Sequence, residues 1–153
     1  MKQMLLLLVF LVVVLGGGTA IGLATLPGDW YAGLAKPPFN PPNAIFGPVW
    51  TVLYVLIAVT GWRVARRAPL SPAMALWTLQ LLLNFAWSPV FFGLQRPDAA
   101  LAIVAAMLAA IGGFILVSWR QDRVAALMFA PYAAWVAFAT VLNAAIVMLN
   151  AQH

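Results

Sequence analysis

No cysteine occurs in this chain, so a disulfide framework, a thiolate nucleophile and a cysteine-based metal site are all excluded. Acids are nearly as scarce: Asp29, Asp98 and Asp122 are the only three, and the one histidine, His153, is the last residue. General acid–base catalysis and metal ligation draw on such groups. No Asp, Glu, Lys, Arg or His falls in the central part of any apolar run. Proton relays, ion pathways and voltage sensors need ionisable groups there. Pumps, channels with charged filters and hydrolases are therefore disfavoured. Strand-like alternation is absent as well, which removes the β-barrel.

Apolar surface is what the chain has in abundance. Hydrophobic residues make up 65% of the 153 positions, charged ones 7%, and the mean hydropathy is +1.01. A soluble domain carries roughly a quarter charged residues, so the composition points to a membrane. The apolar runs predict helices over about 4–26, 44–65, 71–94, 97–119 and 123–150. Each reaches the roughly 20 residues that a helix needs to cross the hydrocarbon core. The expected fold is an all-α integral membrane protein, a single domain of five transmembrane helices. The first run has signal-peptide features, but a signal h-region spans only roughly 7–15 residues. Here the run continues through Ile21, Leu23 and Leu26, so it is expected to stay as a helix.

The net charge of +5 invites a nucleic-acid reading, and the placement of the charges argues against it. With five alternating spans, Lys2, Arg63, Arg66, Arg67, Arg120 and Arg123 fall on one side, Lys36 and Arg96 on the other. This bias predicts a cytoplasmic N-terminus. A helical bundle of this kind points to a bacterial inner rather than outer membrane.

Several boundaries are written locally. Ser71-Pro72 offers an N-cap with proline at the first helical position. Pro97-Asp98 places an acid near the positive end of a helix dipole, and Asp122 can cap the last helix. Pro89 and Pro131 are expected to bend their helices. Small residues recur as Gly18-x-x-x-Gly22, and as Ala102, Ala105, Ala106, Ala109, Gly112 and Gly113. Either stripe suits bundle contacts or a dimer seam.

The long connection, 27–43, differs from an ordinary linker. Four prolines, Pro37, Pro38, Pro41 and Pro42, stand within six residues and stiffen it. A segment that loses little entropy on ordering is suited to act as a lid, presenting Trp30, Tyr31, Lys36 and Phe39. Within the spans, Gln80, Asn84, Trp87, Ser88 and Phe91 share one helical face. Trp50 and Tyr54 stand one turn apart, and Trp135, Phe138, Ala139, Leu142 and Asn143 form a third stripe. Interfacial anchoring explains Trp62 and Trp119, which neighbour Arg63 and Arg120. For Trp50, Asn84 and Trp135, two readings stand open: interfacial or interhelical contacts, and a ligand pocket. Such a pocket would stack a flat, apolar ligand on its rings while an amide or indole N–H orients a polar group. Pigments, porphyrins and sterols fit that description, and Lys36 could meet a carboxylate at the mouth.

Longer blocks make the pattern specific. Trp30-Tyr31, Lys36-Pro37-Pro38-Phe39-Asn40-Pro41-Pro42, Gly47-Pro48-Val49-Trp50 through Tyr54, Asn84-Phe85-Ala86-Trp87-Ser88-Pro89 through Gly93, Pro131-Tyr132-Ala133-Ala134-Trp135 and Thr140-Val141-Leu142-Asn143 occur in order. Together they resemble the tryptophan-rich sensory protein family, in its bacterial branch. The mitochondrial branch is the translocator protein, or peripheral benzodiazepine receptor. The resemblance implies a five-helix bundle, commonly a homodimer, that binds protoporphyrin IX, haem, sterols and benzodiazepine-type drugs. It also implies tetrapyrrole regulation or transport linked to stress or oxygen. No cofactor is implied, the porphyrin being a ligand. By motif position, Trp50, Asn84 and Trp135 correspond to pocket residues, Ala139 and Leu142 to the pocket wall, and Trp30 and Tyr31 to the closing loop. Tyr54, Trp87 and Phe138 join the pocket through their shared faces. Animal members carry a sterol motif with Tyr and then Arg near the end of the last helix. Val141–Met148 has neither, which puts tight cholesterol binding in doubt.

Three functions compete. One is a porphyrin-binding regulator or transporter. A second is light-dependent protoporphyrin degradation, as the resemblance implies for some members, with Trp50 and Trp135 as the photochemistry candidates. The third is a structural subunit without a small ligand.

Overall fold

The computed structural model describes residues 1–151; Gln152 and His153 lie outside it. Five helices are long and apolar enough to span a membrane. We label them α1 (Lys2–Ala24), α3 (Asn43–Arg67), α4 (Pro72–Gly93), α5 (Pro97–Ser118) and α6 (Arg123–Asn150), with α2 (Asp29–Gly33) a single short turn inside the first connection. No strand occurs among the described residues.

Capping chemistry sets several of these boundaries. The Ser71 hydroxyl accepts from the Met74 N–H at 3.2 Å, with Pro72 at the first helical position. Asp122 accepts from the Ala125 N–H at 3.2 Å and begins α6. Pro97 opens α5, and Asp98 in its first turn forms a two-point pair with Arg96 at 2.9 and 2.7 Å. The last turn of α4, Pro89–Gly93, is a π-turn. Proline has no N–H to donate, and the ladder widens: the Leu94 N–H reaches the Pro89 carbonyl at 2.8 Å. By contrast, α6 runs on as one helix through Pro131, whose ring is exposed.

Around the bundle the order is α1, α3, α6, α5, α4 and back to α1. Val14, Ile57, Ile111, Phe114, Phe129 and Tyr132 have no exposed surface and fill its middle. Leucines and valines such as Leu5, Leu8, Val12, Val52, Leu82, Leu116 and Leu127 point outward, the arrangement hydrocarbon favours. The two small-residue stripes behave differently. Gly18 is buried against Tyr54, whereas Gly22 faces open space. On α5, Ala102, Ala105, Ala106 and Ala109 are exposed.

One end of the bundle is basic. Arg63 grips Asp122 through Nε at 3.1 Å and Nη2 at 2.9 Å, and Arg67 adds Nη1 at 3.1 Å. At the same end Trp62 donates to the Gln3 carbonyl at 3.0 Å. Arg66 lies over the Trp62 ring and Arg123 over Trp119, the amphipathic pairing of an interfacial belt. The α2 connection, Lys36 and Arg96 belong to the opposite end.

Candidate functional site

The 27–43 connection folds down onto the bundle instead of standing away from it. Its short helix α2 buries Tyr31 and sets Trp30 and Tyr31 edge-on to Phe91, at 6.0 and 6.2 Å between ring centres. Tyr31 also meets Phe92 at 5.3 Å, and its burial raises the phenol above its ordinary pKa. Pro37 is buried, while Phe39 stays half exposed against Phe138 at 6.3 Å. Beneath, the Thr25 and Ser88 hydroxyls share a 2.6 Å hydrogen bond that ties the end of α1 to α4.

Lys36 is bound back onto its own loop. Its ammonium donates to the Leu34 carbonyl at 3.1 Å and lies 4.5 Å from the centre of the Tyr31 ring. It lines a cavity of about 580 Å³ with Tyr31, Asp29, Asn40 and Pro42. That volume falls in the range of small-molecule sites, roughly 300–1,000 Å³. Of the sequence candidates, only Tyr31 and Lys36 face this space.

The loop is also fastened from a distance. Asn150, at the end of α6, accepts from the Ala35 N–H at 3.0 Å and donates to the Ala35 carbonyl at 2.9 Å. Asn150→Ala removes both bonds. Both bonds are exposed, so together they contribute about 0.5–1.5 kcal/mol, and amide exchange over residues 34–42 is expected to quicken roughly two- to tenfold. Hydrogen-exchange mass spectrometry reads this directly, and unchanged exchange would mean that the prolines alone hold the loop.

Below the loop, tyrosines from two helices close on the amide of a third. Asn84 of α4 accepts from the Tyr54 hydroxyl at 3.2 Å and donates to the Tyr132 hydroxyl at 2.8 Å. Tyr132 in turn donates its hydroxyl to the Gln80 amide oxygen at 2.7 Å. Trp50 tilts against Tyr54 at 5.4 Å and meets Tyr132 edge-on at 6.4 Å. One turn along α6, Trp135 packs on Phe138 at 5.6 Å and on Phe46 of α3 at 5.9 Å. Trp87 stacks on Phe91 at 5.0 Å, and its N–H reaches Asn143 at 3.1 Å. Leu142 is buried with Tyr31 and Phe91, and Ala139 lies against the core that holds Trp50 and Trp135.

The candidates thus gather on the inner faces of α3, α4 and α6 and the underside of the loop. Trp87 packs against both the central and the loop-side core clusters and so bridges them. Rings at these separations touch one another, so a ligand that stacks among them displaces ring–ring contacts. Tyr132 was absent from the sequence candidates although it is the hub of the network. The signal was available: it lies three residues before Trp135 and so shares its helical face. Among the described residues no group of three His, Asp or Glu side chains could hold a metal ion. What the arrangement offers is apolar stacking area, the amides of Gln80, Asn84 and Asn143, and several indole N–H groups. Among the described residues the Trp50 and Trp135 N–H groups make no hydrogen bond.

Residues 8–149 match the TspO/MBR family. The chain belongs to that family. A tryptophan-rich sensory protein of Cereibacter sphaeroides is 37% identical over 135 residues, covering 88% of this chain and 85% of that one. Tryptophan-rich protein TspO of Archaeoglobus fulgidus is 42% identical over 130 residues, 80% of each chain. The human translocator protein is 35% identical over 119 residues, 74% of this chain and 70% of its own. With five membrane-length helices, TspO/MBR membership makes this a multi-pass membrane protein.

Proposed function

We propose that the protein is a membrane receptor for porphyrins, with protoporphyrin IX and haem as its ligands. By holding them it would regulate or move tetrapyrroles in a stress- or oxygen-linked response. The observation that carries this reading is Asn84, fixed between the Tyr54 and Tyr132 hydroxyls, on whose rings Trp50 packs, with Trp87 and Trp135 against the same core. Aromatic faces supply stacking area, and the amide and indole N–H groups supply orientation. A propionate would draw Lys36 off the Leu34 carbonyl. Sterols and benzodiazepine-type drugs are flat and apolar enough to share the site. Cholesterol is expected to bind weakly, since Val141–Met148 lacks Tyr and Arg. The exposed alanines of α5 would let two copies approach closely as a homodimer.

Fluorescence titration of the purified protein with protoporphyrin IX, haem and cholesterol tests the reading. Saturable quenching of tryptophan by the two porphyrins is expected. Linear partitioning, equal to that into empty detergent micelles, would leave the aromatics as packing only and favour a structural subunit. A second reading, light-dependent degradation of protoporphyrin, is favoured by the oxidisable Trp50–Tyr54 pair in contact at 5.4 Å.

We place the protein in a bacterial inner membrane with its N-terminus in the cytoplasm, because Arg63, Arg66, Arg67, Arg120 and Arg123 stand at one end. Reporter fusions in the 68–71 turn and after Ala151 are then expected on opposite sides, the first cytoplasmic. Reports from the same side would overturn this topology.

A further inference from the structure

A second cavity lies at the other end of the molecule from the porphyrin site, between the end of α3, the start of α4 and the α5–α6 turn. It measures about 180 Å³ and is lined by Arg67, Ser71, Ala73, Ser118, Gln121 and Asp122. Below roughly 300 Å³ a space is too small for a drug-sized ligand. It still holds the equivalent of about six waters at roughly 30 Å³ each.

Arg67, Ser71, Ser118 and Gln121 bring donors to a lining that also includes the apolar Val64 and Ala68. Ser118 is only 2% exposed, and its hydroxyl has no partner among the described residues. A buried hydroxyl without a partner costs stability, so it favours any acceptor that enters the cavity. Ala73 stands at the second position of α4, where no carbonyl four residues back belongs to the helix. Arg67 gives Nη1 to Asp122, and its side chain, 60% exposed, keeps further N–H groups to offer. The one acid in the lining is already spent. Both Asp122 oxygens accept from Arg63, with the Ala125 N–H on one and Arg67 on the other. Burial works against the Asp122 charge, but the Arg63 hydrogen bond, the Ala125 N–H and the two cations outweigh it and hold the carboxyl below its usual range.

Donors converging on a small space beside a helix N-terminus describe a phosphate site. The surroundings identify the source. Trp62 and Trp119, each under an arginine, put this end at headgroup depth. It also carries six of the eight basic residues and a single acid. We propose that the cavity bounded by Arg67, Ser71, Ala73 and Ser118 binds the phosphate of an anionic phospholipid, one per chain. Basic pockets between spans on the cytoplasmic side suit that chemistry. The lipid would brace α3, α4 and the α5–α6 turn together, independently of any ligand under the loop.

The test is native mass spectrometry and thermal unfolding of the full chain in detergent, titrated with phosphatidylglycerol, phosphatidylcholine or inorganic phosphate. One phosphatidylglycerol per chain is expected to be retained and to raise the unfolding temperature. Phosphatidylcholine, with no net charge, is expected to bind far more weakly, as is free phosphate. Arg67→Gln and Ser118→Ala each remove a donor to a charged acceptor, so each is expected to weaken retention about tenfold or more. Ser118→Ala leaves the helix ends intact, so its loss reports the site and not the fold. Arg66→Gln removes the same charge from a side chain packed on Trp62 outside the cavity, and is expected to change little. Equal losses for Arg66→Gln and Arg67→Gln would reduce the effect to diffuse surface attraction and overturn the proposal. Equal retention of phosphatidylcholine would do so too. Free phosphate binding as tightly as phosphatidylglycerol would make the ligand soluble and overturn the lipid assignment.

Discussion

Gly18→Ala and Gly22→Ala are expected to move the stability of the protein in opposite directions, although the two glycines stand one turn apart on the same helix. Alanine in a helix interior is favoured over glycine by roughly 0.5–1 kcal/mol. At Gly22 nothing lies within 4 Å of an added Cβ, so that gain is expected in full. At Gly18 an added Cβ would collide with the Tyr54 ring. Tyr54 has little freedom to yield, since its hydroxyl is bonded to Asn84 and its face is against Trp50. Overpacking of this kind costs about 1–3 kcal/mol, which outweighs the propensity gain. Gly61→Ala is expected to be at least as costly. There the new methyl would enter the Trp77 ring and come within 2.7 Å of Phe10. Trp77 is 5% exposed and pinned by its N–H to the Ile57 carbonyl at 2.9 Å. Thermal unfolding in detergent separates the three variants. A stabilised Gly18→Ala would show that α1 does not depend on close approach to α3.

Much of the fold was legible because membrane spans announce themselves by length. The five apolar runs became five helices, with ends displaced by two residues or so, as fraying and capping allow. Ser71, Pro97 and Asp122 marked helix starts through local chemistry alone. The order of helices around the bundle was not legible. Spans that are apolar nearly all round carry little facial asymmetry, so which neighbour each packs against is not written in its sequence. The same limit hid the roles of Gly18 and Gly22, one buried and one outward. For the site, spacing on α4 gathered Gln80, Asn84, Trp87 and Phe91 correctly on one inner face. Lys36 was read as open to a ligand, and the structure ties it to Leu34 and the Tyr31 ring. The Asn150–Ala35 bonds and the Asp122–Arg63 pair join positions far apart in the chain, which no local pattern encodes. The basic residues were readable as topology signals, but not their convergence on one acid.

The largest functional effects are expected at Trp50, Asn84 and Trp135, tested as Trp50→Phe, Asn84→Leu and Trp135→Phe. Phenylalanine preserves an aromatic face against Tyr54 and Tyr132, or against Phe46 and Phe138, while removing the indole N–H. A neutral hydrogen bond contributes about 0.5–1.5 kcal/mol, so porphyrin affinity is expected to fall roughly two- to tenfold in either tryptophan variant. Phenylalanine is also much harder to oxidise than tryptophan. If light and oxygen drive pigment loss through these indoles, the bleaching rate falls further than affinity does. Asn84→Leu acts differently. It strands the Tyr54 hydroxyl, leaves the fully buried Tyr132 with Gln80 and Met107 as partners, and removes the amide that would orient the ligand. Leaving buried polar groups under-satisfied costs about 1–3 kcal/mol, so a less stable protein with weaker binding is expected. Bleaching per bound porphyrin is expected to stay at the parent level, because an amide exchanges no electrons with an excited pigment. Measuring affinity, bleaching per bound pigment and unfolding temperature together keeps the three effects apart. Parent-like binding and bleaching in all three variants would leave these side chains as interhelical packing, and the porphyrin site would have to lie elsewhere, under the loop beside Lys36.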